Sequence, residues 1–305
     1  MMVQIAGDCS LAEDRERGRG MKSADPGPNV GPKPWLVSVI VATKNSESTI
    51  RKCLESVWNQ TYRPIEVIVV DQYSSDSTVA IAKEFTDRVY HAGPERGPQY
   101  NLGFRVAKGD LLYRIDSDFV LEPDVIREAV ALISQGYDAV VVPNEPDPSI
   151  SFWARVRTLE GRCYHDDEWN VAARFFKAPI LRSLGGFDED LVAGEDYDLH
   201  NRLLLEGYRV GRITSREIHL GEPRSLKDVY GKYFYYGQTI REFLRRDRGR
   251  GTRQLLPLRT AYIRHWRDFL RQPDLTAGFL VYQIVKYVAA WRGWRSSENT
   301  IRKAV

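Results

Sequence analysis

Cysteine is scarce. Cys9, Cys53 and Cys163 are the only three in 305 residues, far apart and without a C-x-x-C pair. Such spacing supplies neither a disulfide framework nor a zinc site, and it fits reduced thiols in an intracellular setting. Long apolar runs are missing as well. Asp8, Glu13 and Asp14 interrupt the N-terminus with no apolar core behind them, so a signal peptide is not expected and the chain reads as cytoplasmic. The most apolar later stretch, residues 275–291, contains Gln283 and Lys286 and is short for a membrane span. Glycine is absent from Thr43-Lys-Asn-Ser-Glu-Ser48, where a phosphate-cradling loop after a first strand would need it.

What remains is ordinary globular material. Hydrophobic residues make up 43% and charged residues 28%, enough for one large domain or two small ones. Residues 1–34 are charged and rich in Gly and Pro, and are expected to form a disordered tail. Charge divides the rest. From Pro223 onward 18 Lys and Arg stand against 6 Asp and Glu, a net +12, which leaves −9 on residues 1–222 of the overall +3. Three regions are therefore expected: the tail, a domain over 35–222, and a basic, mainly helical region over 223–305 that presents a separate surface to phosphates.

From Trp35 the pattern alternates. Residues 36–42 form an apolar, β-branched run, and Ile50, Leu54, Val57 and Trp58 follow at helical spacing, with Ser46 or Ser48 as the cap. Residues 65–71 repeat the strand and 79–85 the helix. A short helix over 100–107, a strand over 111–115 and a helix over 122–134 continue the series. This alternation predicts an α/β fold whose mostly parallel sheet is covered on both faces. Ligands of such sheets collect beyond the carboxyl ends of the strands, where Thr43, Asn45, Asp71, Ser74, Asp76, Asp116 and Asp118 fall.

The strand over 111–115 runs directly into Asp116-Ser-Asp118. Two carboxylates so placed suit a hard divalent cation, Mg²⁺ or Mn²⁺, with coordination positions left for water and a substrate diphosphate. That is the chemistry of a nucleotide-activated donor.

Several pieces in order carry a resemblance to a known family. They are Val37-Ser-Val-Ile-Val-Ala-Thr-Lys-Asn45, Ile65-Glu-Val-Ile-Val-Val-Asp71 with Ser74-Ser-Asp-Ser-Thr78, Glu95-Arg-Gly97 with Asn101-Leu-Gly103, and Lys108-Gly-Asp-Leu-Leu-Tyr-Arg-Ile-Asp-Ser-Asp118. Gly185-Gly-Phe-Asp-Glu-Asp190, Gly194-Glu-Asp-Tyr-Asp-Leu199 and Arg202-Leu-Leu-Leu-Glu-Gly-Tyr208 follow. Over residues 35–220 the chain resembles the inverting glycosyltransferases of family two, which have the GT-A fold of the nucleotide-diphospho-sugar transferases. Ala42 and Gln72 depart from it, where the family has a proline-containing turn and a second acid.

The resemblance implies that Thr43, Asn45 and Asp71 line the nucleoside pocket, that Arg96 lies near the donor, and that Asp116 faces the ribose or the metal. It makes Asp118 a metal ligand, with His219, at the end of an expected strand over 210–218, as a third. Inverting transfer needs one base to deprotonate the acceptor as it attacks the anomeric carbon. In the acidic pair Glu195-Asp196 the resemblance assigns that role to Asp196. The expected activity is Mn²⁺- or Mg²⁺-dependent transfer of a sugar from a nucleotide diphosphate to a hydroxyl or a lipid-linked phosphate, in glycan or glycolipid biosynthesis. Nucleic acid is not an expected partner.

Two alternatives stay open: a sugar-phosphate nucleotidyltransferase, against which the glycine-free loop counts, and a non-catalytic sugar or nucleic-acid binding module. His165-Asp-Asp-Glu168 reads as an exposed acceptor loop. Val229, Tyr233, Tyr236 and Ile240 give a helix with an aromatic face. Gln238-Thr-Ile-Arg241 loosely resembles the Gln-x-x-Arg-Trp signature of polymerising synthases but lacks its Trp. Residues 275–291, flanked by Arg271, Arg292 and Arg295, are read either as an interfacial helix at the inner face of the cell membrane or as a helix packed on the domain.

Overall fold

The strand β1, Val37–Thr43, is mostly β-branched and every residue of it is buried. Its side chains alternate between the two faces of a sheet, as the pleat requires. Val37, Val39 and Val41 enter one apolar cluster, Ile40 and Ala42 another on the opposite face. Each fully buried Val or Ile stabilises the fold by about 1.5–3 kcal/mol relative to exposure. This computed structural model describes residues 34–165, 167, 169–246, 251–257 and 259–304. The expected tail over 1–34 lies outside them apart from Pro34.

Helix α1 (Ile50–Trp58) places Ile50, Leu54 and Val57 in the first cluster and leaves Trp58 exposed. Thr49, not Ser46 or Ser48, is the residue at its start. Ser46 contributes instead its carbonyl, which accepts from the N–H of Thr49 and Ile50 at 3.0 and 2.9 Å, while its hydroxyl is engaged by Lys44 and Ser117. Then follow β2 (Ile65–Asp71), α2 (Thr78–Lys83), β3 (Val89–His91) and α3 (Arg96–Val106). Helix α3 starts four residues earlier than the sequence pattern suggests, because Pro98 is tolerated in a first turn whose N–H groups have no intrahelical acceptor.

Strand β4 (Leu111–Asp116) and the short β5 (Phe119–Leu121) lead to α4 (Val125–Ser134), β6 (Ala139–Val141), β7 (Asn144–Pro146) and α5 (Phe152–Arg162). Next come β8 (Phe175–Lys177), α6 (Ala178–Ser183) and α7 (Glu195–Leu205). The expected single strand over 210–218 is two, β9 (Val210–Arg212) and β10 (Glu217–His219), in different sheets. Glu128 causes the break: its carboxylate accepts from the N–H and hydroxyl groups of Thr214 and Ser215 and so fixes a turn between them.

The main sheet has the order β3-β2-β1-β4-β8-β6-β9, with β8 antiparallel to its neighbours and the remaining pairs parallel. A second sheet, β5-β10-β7, stands beside it. Register sets the site. Thr43 lies opposite Asp71, and Ala42 opposite Asp116, so three strand ends share one edge. Just past that edge, β10 pairs antiparallel with β5 and brings His219 opposite Phe119, the neighbour of Asp118.

The chain ends in helices: α8 (Leu226–Arg246), α9 (Gly251–Gln254), α10 (Thr260–Arg264), α11 (Trp266–Arg271) and α12 (Pro273–Ala304). Leu275, Phe279 and Tyr282 of α12 pack on Val156 and Leu159 of α5 and Val229 of α8. Buried Glu160 fastens this junction, accepting from Tyr262 (2.9 Å), Gln283 (3.1 Å) and Lys286 (3.4 Å). Burial alone would neutralise it, but Lys286, Arg157 and Arg259 outweigh that and hold its carboxyl well below the usual range. Among the described residues no helix is long and apolar enough to cross a membrane.

Candidate active site

Asp71 is fully buried and organises the turn after β2. Its carboxylate accepts from the backbone N–H of Ser74 at 2.8 Å and from the Ser74 hydroxyl, and His91 approaches at 3.3 Å. Asn45 interlocks with the same turn: its N–H donates to Ser74 Oγ at 2.7 Å and its side-chain oxygen accepts from Ser75 N–H at 2.9 Å. Asn45 and Tyr73 hold positive φ, 47° and 50°, so backbone strain is concentrated at this edge. The Thr43 hydroxyl is buried with no hydrogen-bond partner. Tyr73, 72% exposed, stacks on His91 at 5.7 Å between ring centres. No sequence pattern marked Tyr73 or His91, because only the parallel register of β2 and β3 brings them together.

Asp116 accepts a hydrogen bond from Tyr100 at 2.8 Å and faces Arg96 at 3.7 Å and Arg174 at 4.0 Å. Burial opposes its charge, but Arg96, Arg174 and Arg114 overcome that and hold its carboxyl down to about 2. Asp116 is thus turned toward guanidinium groups, and it is Asp118 that meets His219, at 3.1 Å. The three residues expected to share one ion are split in this way. Among the described residues no group of three His, Cys, Asp or Glu side chains is gathered as a metal site.

The pair Asp118 and His219 nevertheless fits a divalent ion. Glu222 Oε1 lies 2.6 Å from His219 Nδ1, an arrangement that fixes the tautomer and leaves Nε2 toward Asp118. Phe119 stacks on the imidazole at 4.6 Å, and Arg157 approaches Glu222 at 3.5 Å. The carboxylate oxygen suits Mg²⁺ or Mn²⁺, and the added imidazole nitrogen suits a transition-metal ion, so Mn²⁺ is compatible with the pair. Gly221 covers the pair. A Cβ there would overlap Asp118 Oδ2 and stand 2.9 Å from His219 Nε2. Gly221→Ala is accordingly expected to weaken Mn²⁺ binding by about 10–100-fold with little change in melting temperature, read by Mn²⁺ titration and thermal unfolding.

The acidic pair at the start of α7 divides by environment. Gly194, at φ 83°, begins the helix, and a Cβ on it would press against the Phe243 ring of α8 at 2.8 Å. Glu195 is buried and bound to Arg96 at 2.8 Å, whereas Asp196 is one-third exposed and 3.8 Å from Arg114. Burial is the main cause that lifts the Glu195 carboxyl to about 7, with Arg96 opposing and Asp196 adding to it. A carboxyl raised in the fold supplies stability below its ordinary value near 4.5 that is lost as pH climbs through 7. The melting temperature of the native chain minus that of Glu195→Gln is therefore expected to fall between pH 5 and pH 8, in calorimetry at both.

Asp196 opens on a cavity of about 140 Å³ that Asn170, Arg174, Tyr164 and Tyr197 also line. Arg114, which approaches Asp196, lies over the rings of Tyr100 and Phe187 at 5.6 and 5.3 Å. Arg174 is paired with buried Glu217 at 2.9 Å. A larger hollow, about 630 Å³, is lined by Asn101, Phe104, Arg105, Arg182 and Glu189 and holds none of the strand-end carboxylates. The loop over 165–168 is not simply exposed. Asp167 is buried and accepts from the Asn170 N–H at 3.1 Å, while residues 166 and 168 lie outside the described residues. The basic region is tied to the domain at α8: Tyr235 donates to Glu95, and Arg246 pairs with Asp188 and Asp190.

The family model described as Glycosyl transferase family 2 matches residues 38–181. Glycosyltransferase GlyG of Streptococcus pneumoniae is 31% identical over 237 residues, 65% of this chain and 79% of that protein. The chain belongs to glycosyl transferase family 2. It is also 34% identical over 181 residues to the putative glycosyltransferase EpsH of Bacillus subtilis, covering 57% of the chain. It spans only about half of EpsH, 49%. Among solved structures it is similar to the mannosyltransferase PcManGT of Pyrobaculum calidifontis, in complex with GDP-Man and Mn²⁺. The TM-score is 0.54 at 18% identity, with 84% of this chain and 74% of that one covered. The chain has the GT-A fold: a mainly parallel α/β sheet with a helical C-terminal region.

Proposed function

We propose that the enzyme transfers one sugar, with inversion, from a nucleotide diphosphate to a hydroxyl or lipid-linked phosphate acceptor, at the inner face of the cell membrane. One observation carries the reading. Asp196 opens on a cavity that Arg174 also lines, while Asp118 lies 3.1 Å from His219, whose other nitrogen is held by Glu222. A base and an ion-holding pair are thus separate groups with separate partners, as displacement at an anomeric carbon needs.

The nucleoside would lie over the edge of β1 and β2, where the Thr43 hydroxyl lacks a partner and Tyr73 offers an exposed ring. With a hydroxyl acceptor, Asp196 Oδ2 takes the proton as the oxygen attacks the anomeric carbon. The bond from that carbon to the diphosphate oxygen breaks, and the diphosphate keeps the electron pair. Arg114, 3.8 Å away, keeps Asp196 oriented, and its own planes are locked between aromatic rings. Arg96 spans Asp116 and Glu195, so its guanidinium is held toward the donor side. Asp118 and His219 would hold Mn²⁺ or Mg²⁺, which when bound offsets the charge of the leaving diphosphate.

A thermal-shift screen of UDP-, GDP- and dTDP-sugars with and without Mn²⁺ tests this function. One nucleotide class is expected to stabilise the enzyme, and only with the ion. Stabilisation by none, or equally with and without Mn²⁺, would contradict it.

A further inference from the structure

Helix α12 is apolar on two opposite faces. Leu275, Phe279, Tyr282 and Ala289 are buried against the rest of the chain. On the other side Leu280, Ile284, Val288 and Trp291 recur at spacings of four, four and three, and they are 58%, 64%, 43% and 52% exposed. Ala277 extends the stripe by a turn, and Val281 borders it at 42% exposed. A helix needs one apolar face to pack, and the second has no partner among the described residues. The inner face of residues 275–291 is thus packed on the domain, and the outer face is apolar and exposed.

We infer that this outer face of α12 is a lipid-binding surface that lies in the interface of an anionic membrane. The stripe from Leu280 to Trp291 is about 16 Å long at 1.5 Å per residue, enough to lie in the interface and far short of spanning a core of about 30 Å. Leu280, Ile284 and Val288 are aliphatic, with no polar group among them to fix the register of a protein partner. Amphipathic groups stand at its end: Trp291 and Trp294 are exposed, and the Arg295 guanidinium lies over the Trp291 ring at 5.0 Å. Such residues place an apolar body in the acyl boundary and a polar tip among headgroups.

Charge points the same way. From residue 260 to 297, Arg264, Arg267, Arg271, Arg292 and Arg295 are exposed, while Asp268 and Asp274 are the acidic residues. Helices α10 and α11 add Ile263, Trp266 and Leu270, 72%, 52% and 69% exposed at spacings of three and four. Their inner residues Tyr262 and Phe269 pack on Phe279 at 5.1 and 5.0 Å, directly before the stripe begins. Apolar area with basic flanks is the combination that anionic bilayers retain. This surface extends the proposed location, and it requires neither donor nor acceptor to be bound.

Flotation of the full chain with phosphatidylcholine vesicles, with and without phosphatidylglycerol, tests it beside the double variant Ile284→Glu/Val288→Glu. Both side chains are solvent-exposed, so far-UV circular dichroism and Mn²⁺-dependent donor binding are expected to match the native chain. The native chain should float with anionic vesicles, more weakly with neutral ones, and the variant should lose at least about tenfold in partitioning. Equal flotation of the two chains would overturn the inference. So would a native chain that ignores both vesicles while sedimenting as a dimer that the variant abolishes, which would make the stripe an interface between two copies. Retained donor binding in either outcome keeps the transferase reading separate from this one.

Discussion

Asp196→Asn is expected to leave donor binding within about twofold of the native value and to lower turnover by about 10²–10⁴-fold. The amide keeps the size of the side chain and its place at the start of α7, where the Asp196 carboxylate opens on the cavity. It removes only the ability to accept a proton. Because the variant is altered in turnover and not in donor affinity, initial-rate kinetics beside donor titration separate it from a folding defect. Glu195→Gln behaves differently: Glu195 is bound to Arg96 at 2.8 Å and does not reach the cavity, so its loss disturbs the placement of Arg96. Turnover retained in Asp196→Asn and lost in Glu195→Gln would exchange the two roles.

Asp118→Ala is expected to remove Mn²⁺-dependent donor binding altogether and to depress transfer by about 10³-fold or more, since charge on a leaving diphosphate is then left without its counter-ion. Asp118 contributes the oxygen of the pair and is a third exposed, so the deletion costs little stability. His219→Ala and Glu222→Gln act through the same place with smaller effects. Glu222 is not one of the two proposed ion ligands. It lies 2.6 Å from the far nitrogen of His219, and losing such an orienting carboxylate typically costs 10–100-fold in metal affinity.

Much of the frame was readable from residue order. Runs such as Val37–Thr43 and Ile65–Asp71 are apolar enough to be buried on both faces, and their parallel pairing puts Thr43 and Asp71 opposite each other. That Asp118 and His219 belong together was implied by the family resemblance; they lie 3.1 Å apart, although the strand bearing His219 belongs to a different sheet from β9. Hydrophobic periodicity does not register a break made by one distant carboxylate, here Glu128 on Thr214 and Ser215.

Side-chain direction was the part that sequence left hidden. Asp116 and Asp118 are two residues apart, yet one faces three arginines and the other an imidazole. Arg114 sits inside an apolar strand, and Arg174 in a segment with no motif, so neither announced a role. Their importance comes from Tyr100, Phe187 and Glu217, which tertiary packing alone brings to them. Glu222 offered one signal that could have found it: a carboxylate three residues after His219, within reach of its free nitrogen.

Electron paramagnetic resonance of Mn²⁺, titrated in the presence of a nucleoside diphosphate, examines the ion-holding pair without any acceptor. The native chain should retain one equivalent of Mn²⁺, Asp196→Asn the same, His219→Ala distinctly less, and Asp118→Ala none. Mn²⁺ held equally well by Asp118→Ala and the native chain would contradict the account.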